Sequence, residues 1–284
     1  MTGLVEVVEM GPRDGLQNQA RLIPAAEKIA LIDALSAVGF RRIEVASFVS
    51  PKWVPQMADG AAVLAGITRK PGVCYSALTP NLQGYAAAIA ARADEVAIFA
   101  SASEGFSRAN LNCTISESVD RFKALMGAAK ADSVKVRGYV SMVTDCPFDG
   151  PTAPAAVARV AASLRDLGCY EVSLGDTLGK ARPAAIDAML AAVLDELPAG
   201  QLAGHYHDTA GRALANIEAS LARGLRVFDA SAGGLGGCPY APGAKGNVAT
   251  EAVQAHLLSL GYETGLDPVK LALATGMARS IKAV

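Results

Sequence analysis

The stretch EVSLGDTLGKARPAAIDAMLAAVLDELPAGQLAGHYHD, residues 171–208, contains one complete strand–helix–strand unit. EVSLGDT (171–177) and LAGHYHD (202–208) are short runs of the strand type, whereas PAAIDAMLAAVL (183–194) opens with Pro and repeats apolar residues at helical spacing. Two strands that are joined through a helix run parallel, with a right-handed crossover. This stretch therefore predicts an α/β fold.

Six further strand-like segments repeat this pattern along the chain. They are VEVVEM (5–10), RRIEVAS (41–47), VCYSAL (73–78), EVAIFAS (95–101), VKVRGYVSM (134–142) and VFDAS (227–231). The 284 residues divided by eight strands give about 35 residues per unit, which is the size of a βα repeat. A closed (β/α)8 TIM barrel is the simplest architecture. An open doubly wound sheet is the alternative, but no G-x-G-x-x-G follows the first strand.

No linker rich in Pro, Gly or Ser divides the chain, so we expect a single catalytic domain over residues 1–284. The segment LDPVKLALATGMARSIKAV (266–284) predicts a C-terminal helical tail that packs outside the repeat. The five cysteines, at positions 74, 113, 146, 169 and 238, form no C-x-x-C pair and are expected to be reduced thiols. With acids in place of a basic N-terminal leader, we expect a cytoplasmic protein.

The composition argues against nucleic-acid and membrane partners. The formal net charge is −1 and aromatic residues make up 5% of the chain, so neither a basic footprint nor a base-stacking surface is indicated. The longest uncharged stretch is interrupted by Pro80 and Asn81, which a membrane-spanning helix would not readily tolerate. A small neutral or anionic ligand fits this composition better.

Two of the three histidines stand together in the seventh predicted strand. His205 and His207 are separated by one residue, so in an extended strand both imidazoles leave the same face. They can bind one metal ion; a pair of core histidines or a pH-sensitive surface pair is the alternative. The third histidine, His256, lies in a helical pattern and is expected to be structural.

Oxygen ligands for such an ion are expected at the ends of neighbouring strands. Barrel closure brings the turn after strand one close to strands seven and eight, which makes Asp14 and Asn247 candidates. Each has an alternative reading as a helix cap. Two nitrogens, a carboxylate and an amide oxygen suit six-coordinate Mg²⁺ or Mn²⁺. Zn²⁺ remains an alternative, since two His and a carboxylate also form catalytic zinc sites.

Four other residues are candidates for the chemistry. Cys238 lies in a segment, Gly233 to Asn247, that holds six glycines and is expected to approach a ligand, so its thiol could transfer a proton. Arg13 is placed to stabilise a developing oxyanion, with a surface ion pair as the alternative. Glu44 is expected to point into the barrel together with Ala46, and Asp176 ends the sixth predicted strand. Cys74, Cys113 and Cys169 are expected to be packing residues.

Five segments together resemble the hydroxymethylglutaryl-CoA lyase family, within the HMGL-like superfamily of metal-dependent lyases and Claisen-condensing TIM barrels. They are GPRDGLQN (11–18), EVASFVSPKWVPQM (44–57), SLGDT (173–177), HYHDT (205–209) and GGLGGCPYAPGAKGNVATE (233–251). The resemblance covers nearly the whole chain. It implies cleavage of the acyl-CoA substrate 3-hydroxy-3-methylglutaryl-CoA to acetyl-CoA and acetoacetate, a reaction of leucine catabolism.

The same resemblance implies roles for individual residues. The implied ligands of a magnesium or manganese ion are Asp14, His205, His207 and Asn247. Arg13 matches the residue at the thioester oxygen, Cys238 the reactive loop thiol, and Glu44 and Asp176 acids near the site. Compared with the animal enzymes, we expect a bacterial-type enzyme without their leader and without their terminal extension and its cysteine. A homodimer is expected from the family.

Three other functions stay open at this point. Relatives on the same scaffold run condensations, as isopropylmalate and homocitrate synthases do, or act as aldolases on other hydroxy acids, and the metal residues are shared. No stretch of sequence here corresponds to a synthase regulatory domain. A non-catalytic barrel that keeps its histidines for structural reasons is the third alternative.

Overall fold

The computed structural model describes residues 3–237 and 246–282, and its centre is a closed barrel of eight parallel strands. The strands are β1 (Glu6–Glu9), β2 (Arg42–Ser47), β3 (Cys74–Leu78), β4 (Glu95–Ser101), β5 (Lys135–Ser141), β6 (Glu171–Asp176), β7 (Leu202–Tyr206) and β8 (Val227–Ala230). Each strand pairs with the next along the chain, and β8 pairs with β1 in register from Glu6↔Val227 to Glu9↔Ala230. The predicted (β/α)8 TIM barrel and all eight strands are confirmed.

Helices separate the strands and cover the outside of the barrel. They are α1 (Ala25–Ser36), α2 (Gly60–Gly66), α3 (Leu82–Ala90), α4 (Glu104–Leu111), α5 (Ile115–Ala131), α6 (Pro154–Leu167), α7 (Pro183–Leu194), α8 (Ala213–Ala222), α9 (Thr250–Ser259) and α10 (Pro268–Lys282). Local chemistry sets their ends: Thr114 and Glu117 form a capping box at α5, and Gly168 ends α6 in the left-handed conformation. The predicted C-terminal helix is α10, which packs against α1.

The apolar core lies mainly between the strands and the helices, whereas part of the barrel interior is polar. Aliphatic side chains such as Val96, Leu174 and Leu190 are fully buried in the outer layer. Inside the barrel, buried acids and arginines form a connected set of ion pairs that consists of Glu6, Arg42, Glu171, Arg137 and Asp229. TIM barrels are usually filled there by branched apolar residues, so this interior is unusually charged. Removing one partner of such a buried pair is costly, because the other charge is left uncompensated.

A β-bulge in β2 corrects one expectation. The register with β3 shifts between Glu44, which pairs with Ser76, and Ala46, which pairs with Ala77. Glu44 is fully buried beside Arg13, as expected, but Ala46 lies against Gly60 at the start of α2 and not beside Glu44 in the interior. A bulge inserts one residue and reverses the alternation of side chains beyond it, and the sequence alone did not indicate this.

Within residues 3–237 and 246–282, no helix has both the length and the apolar character needed to cross a membrane.

Candidate metal centre and active site

The turn after β1 presents Arg13 and Asp14 to the carboxyl end of the barrel. Residues Gly11–Gly15 form a single π-helical turn in which Arg13 Nη1 donates to Asp14 Oδ1 at 2.7 Å. Burial by itself would raise the pKa of Asp14, but Arg13 and two nearby imidazoles outweigh it and hold that pKa below its usual range. Asp14 is therefore an anion near neutral pH, as a metal ligand must be.

The imidazoles of His205 and His207 lie side by side above the end of β7. Their ring centroids are 5.3 Å apart, and Asp14 Oδ2 lies 4.0 Å from His205 Nε2 and 3.8 Å from His207 Nε2. One donor atom from each of Asp14, His205 and His207 falls within 4.8 Å of the other two. The structure thus brings three of the four predicted ligands into one cluster.

The other ring nitrogen of His205 contacts a buried carboxylate. Nδ1 lies 3.1 Å from Asp229 Oδ2, so this nitrogen carries the proton when the ring is neutral and Nε2 keeps its lone pair toward Asp14. Burial would lower the pKa of His205, but the hydrogen bond and the charge of Asp229 raise it above its ordinary value. A carboxylate behind a histidine is the usual outer support of a metal-bound imidazole.

Asn247 joins the cluster from the segment that precedes α9. It forms an isolated antiparallel bridge with His207, and its Nδ2 donates to Asp14 Oδ2 at 2.6 Å. Helix α9 begins at Thr250 with Ala249 as its N-cap, so Asn247 does not cap that helix. Its amide nitrogen faces Asp14 in this arrangement, whereas ligation requires the oxygen at the other end of the same amide.

The cluster fits a divalent cation on its own chemistry. Asp14 Oδ2 lies 3.8 Å from His207 Nε2 and 4.0 Å from His205 Nε2, distances too long for hydrogen bonds, so the three donor atoms face one another across a gap. Asp14 supplies a negative charge and His205 a directed lone pair. A donor set of two imidazole nitrogens and one carboxylate oxygen suits Mn²⁺, Mg²⁺ or Zn²⁺ better than it suits soft metal ions, which prefer thiolate ligands.

Arg13 is fixed beside this cluster by Glu44. Arg13 Nε donates to Glu44 Oε2, and the Tyr139 hydroxyl donates to Glu44 Oε1 at 3.3 Å. Burial raises the pKa of Glu44, and the guanidinium of Arg13 counteracts this only in part. Both oxygens of Glu44 are engaged, so the geometry gives Glu44 the task of holding Arg13.

Asp176, at the end of β6, contacts backbone rather than the cluster. Its oxygens accept from the amides of Gly179 at 3.1 Å and Ala181 at 2.9 Å. Burial raises the pKa of Asp176, although these hydrogen bonds and the nearby His207 favour its ionised form. The carboxylate holds the loop that follows β6, and that loop packs against the backbone of His207.

A cavity of about 220 Å³ opens over these residues. One part of its wall is polar and includes Arg13, Asp14 and both histidines; another is apolar and includes Phe99 and Phe106. Gly237 reaches its edge, whereas Cys238 lies outside the described residues. The cavity therefore has one wall of charged and imidazole side chains and one apolar wall.

Comparison with known proteins assigns the family. The HMGL-like family matches residues 4–277 of the chain. The chain belongs to the HMGL-like family. A crystal structure described as the HMG-CoA lyase from Brucella melitensis is 60% identical, covers 99% of this chain and 100% of its own, and superposes with a TM-score of 0.98.

Two other HMGL-like relatives are informative about ligands. A Pseudomonas aeruginosa protein named 3-hydroxy-3-isohexenylglutaryl-CoA/hydroxy-methylglutaryl-CoA lyase is 56% identical, over 93% of this chain and 88% of its own length. An HMG-CoA lyase from Acinetobacter baumannii, solved in complex with coenzyme A and 3-methylmalate, is 37% identical, covers 99% of this chain and 92% of its own, and has a TM-score of 0.94.

Three residues of this HMGL-like site were not singled out from the sequence: Asp229, Arg137 and Tyr139. A signal for two of them exists in VKVRGYVSM, where Arg137 and Tyr139 alternate with Val136, Gly138 and Val140. A period of two with polar residues on one face places both side chains inside the barrel. Asp229 alternates in the same way with Phe228 and Ala230 in β8.

Proposed function

We propose that this protein cleaves 3-hydroxy-3-methylglutaryl-CoA into acetyl-CoA and acetoacetate at the carboxyl end of the barrel. The observation that carries the proposal is the convergence of Asp14, His205 and His207 on one point beside Arg13. The HMGL-like family is metal-dependent. Its members named as lyases of this thioester match this chain over nearly its full length. Acyl-CoA is the substrate class.

The residues that hold the ion are Asp14, His205, His207 and, through its amide oxygen, Asn247. A bound Mg²⁺ or Mn²⁺ supplies Lewis-acid stabilisation of the substrate oxygens and a fixed template for them. Mg²⁺ and Mn²⁺ are favoured over Zn²⁺ because four protein donors, with Asn247 included, already fill a usual zinc site, whereas six-coordinate Mg²⁺ or Mn²⁺ would still accept substrate oxygens.

Arg13 stabilises the charge that develops on the thioester. When the bond between C2 and C3 breaks, the electron pair moves onto the thioester carbonyl and forms an enolate, while the C3 hydroxyl loses its proton to water and becomes the ketone of acetoacetate. A guanidinium that Glu44 and Asp14 hold in place needs no reorganisation to bind that oxygen. Arg13 is 5% exposed, so its charge acts with little screening by water.

The enolate carbon then takes up a proton to give acetyl-CoA. In this proposal the donor is the thiol of Cys238, which follows Gly237 at the edge of the cavity. Glu44 and Asp176 do not exchange protons with substrate, because both carboxylates are engaged within the protein. Their task is to position Arg13 and the loop beside His207.

A second substrate of the same class is a thioester with a longer alkyl branch at C3. The apolar wall of the cavity supports it; this wall consists of Val49, Val54, Leu78, Phe99 and Phe106. The Pseudomonas aeruginosa relative carries both substrates in its name. If the wall receives the branch, Val49→Phe slows cleavage of the isohexenyl thioester while cleavage of the methyl thioester is retained; equal slowing of both contradicts this.

The decisive experiment follows both products from 3-hydroxy-3-methylglutaryl-CoA. With Mg²⁺ or Mn²⁺ we expect acetoacetate and acetyl-CoA in equal amounts, no product after EDTA treatment, and recovery when the ion is restored. Cys238→Ser is expected to lose turnover while it still binds substrate. Incubation with acetyl-CoA and a keto acid tests the condensing alternative. Absence of acetoacetate from the metal-loaded protein would reject the proposal.

A further inference from the structure

Arg137 lies beneath the cavity and touches three different partners with its three guanidinium nitrogens. Nε donates to Glu171 Oε1 at 2.7 Å, Nη1 donates to the Tyr139 hydroxyl at 3.0 Å, and Nη2 forms an ion pair with Asp229 Oδ1 at 2.8 Å. Arg137 is 2% exposed and does not line the cavity. It therefore acts on the site through its neighbours and not on the substrate.

The contact with Asp229 continues directly to a proposed metal ligand. Asp229 uses Oδ1 for Arg137, and its Oδ2 faces His205 Nδ1 at 3.1 Å and accepts from Ser173 Oγ at 2.8 Å. Asp229 is 1% exposed, so water does not compete for these contacts. The orientation of the His205 ring thus depends on where the carboxylate of Asp229 is held.

Glu171 and Tyr139 keep the guanidinium from turning. Because the guanidinium of Arg137 is planar and its Nε and Nη1 are both hydrogen-bonded, Nη2 is held facing Asp229, with which it forms an ion pair. A lysine at this position keeps the charge but has no fork with which to contact all three partners at once. The arrangement is specific to arginine geometry and not to positive charge alone.

We propose that Arg137 is a positioning residue that aligns His205 for metal binding through Asp229. The proposal rests on the proposed metal site. Outer partners of metal-bound histidines typically change metal affinity about 10- to 100-fold when they are replaced. Arg137 does not contact His205 itself. It affects the orientation of His205 through Asp229, which contacts both residues.

Arg42 provides a matched control within the same buried network. It shares Glu171 with Arg137, since its Nη1 lies 2.7 Å from Glu171 Oε1, and it also pairs with Glu6 at 2.7 Å. No contact between Arg42 and Asp229 or His205 occurs in the described residues. Replacing Arg42 therefore disturbs the same ionic cluster at a residue that reaches Arg137 only through Glu171 and keeps the contacts of Asp229 with Arg137 and His205 in place.

The test measures Mn²⁺ affinity by electron paramagnetic resonance of the free ion, on the full chain. We expect Arg137→Lys and Asp229→Asn each to raise the dissociation constant about tenfold or more. Both substitutions act through one contact. The dissociation constant of the double variant is therefore expected to lie within about twofold of that of the weaker-binding single variant. Arg42→Lys is expected to leave the constant within about twofold of wild type, and thermal unfolding verifies that each variant folds.

Three results would overturn the proposal. Unchanged Mn²⁺ affinity in Arg137→Lys would remove Arg137 from the support of His205. Fully multiplicative losses in the double variant would mean that Arg137 and Asp229 act independently. An equal loss in Arg42→Lys would assign the effect to the ionic cluster as a whole.

The readout separates this inference from the proposed reaction. If wild type releases no acetoacetate and the Mn²⁺ pattern nevertheless holds, the reaction assignment fails and the positioning role stands. If wild type cleaves the thioester and Arg137→Lys binds Mn²⁺ normally, the positioning role alone fails.

Discussion

At the residue scale, the site is a set of charges that fix one another before any substrate arrives. Asp14 lies between Arg13 and two imidazoles, and Glu44 holds Arg13 from the opposite side. Preorganised charges of this kind lower an activation barrier because they do not reorient during the reaction. The contribution of each can therefore be measured by removing one charge at a time.

Arg13→Gln is expected to lower kcat about 10²- to 10³-fold, because one donor to the developing oxyanion is lost. Mn²⁺ affinity should change less than tenfold, since the donor atoms of Asp14, His205 and His207 remain. Steady-state kinetics at saturating metal, together with Mn²⁺ titration, make the comparison. A loss of Mn²⁺ binding as large as the loss of kcat would instead place Arg13 in the support of the metal.

Glu9 makes stability depend on pH. It is fully buried, and burial raises its pKa from 4.5 to about 7, even though Gly11, Ala232 and Thr250 donate to its oxygens. The native state thus holds a proton that the unfolded state releases between these two values. The contribution of protonated Glu9 to the free energy of unfolding is fully present below pH 4.5 and is lost as pH rises to about 7. It amounts to about 3 kcal/mol.

Glu9→Gln is expected to remove this pH dependence. Urea unfolding at several pH values should give a wild-type free energy of unfolding that falls relative to the variant between pH 4.5 and about 7. Other titrating groups contribute equally to both proteins and cancel in the difference. Parallel curves for the two proteins would contradict the assignment.

The sequence predicts the site residues at strand ends and in the loops that follow them, whereas buried polar residues within the strands, such as Asp229, were missed. His205 and His207 were predicted from their spacing, and the structure places them together. Asp229 was not singled out, because its significance depends on contacts with Arg137 and His205 from other strands. Such contacts follow from barrel closure and not from local sequence.

At the element scale, the turn after β1 and the loop after β6 both contact the segment after β7 that carries His207. The loop after β6 presses Gly179 against the backbone of His207. The bulge in β2 and the π-helical turn after β1 were not predicted, because each depends on packing against its neighbours. The strand and helix positions themselves were predicted, since hydrophobic periodicity determines them.

Gly179→Ala is expected to weaken Mn²⁺ binding about tenfold or more, because the new Cβ would stand 2.8 Å from the carbonyl carbon and oxygen of His207. Gly211→Ala is the matched control. Both glycines have positive φ, +63° and +69°, but a Cβ at Gly211 meets nothing within 4 Å. The control should lose about 1 kcal/mol of stability from backbone strain and keep its affinity for Mn²⁺. Equal affinities in the two variants would contradict the coupling between the β6 loop and His207.

At the scale of the whole molecule, the cluster joins residues from both ends of the chain. Asp14 follows β1, and Asn247 precedes α9. An ion held there binds the folded state and has no equivalent site in the unfolded chain. The predicted homodimer, cytoplasmic location and single-domain organisation remain predictions.

Metal binding is therefore expected to stabilise the fold. At an ion concentration of about 100 times Kd the gain is about 2.7 kcal/mol, which corresponds to a rise in Tm of about 5 °C for a chain of 284 residues. Scanning calorimetry with Mn²⁺ and with EDTA measures the difference. His205→Ala, which loses one of the ligands, should show a smaller shift than wild type at the same Mn²⁺ concentration; a shift as large as that of wild type would place the ion elsewhere.

The central claim is that one divalent ion is bound by both histidines and Asp14. Electron spin echo envelope modulation of Mn²⁺ on the protein detects imidazole nitrogens that are bound directly to the ion. The account predicts nitrogen couplings from two imidazoles in wild type and from one in either His205→Ala or His207→Ala. A wild-type spectrum without imidazole nitrogen, or one that neither substitution alters, would contradict it.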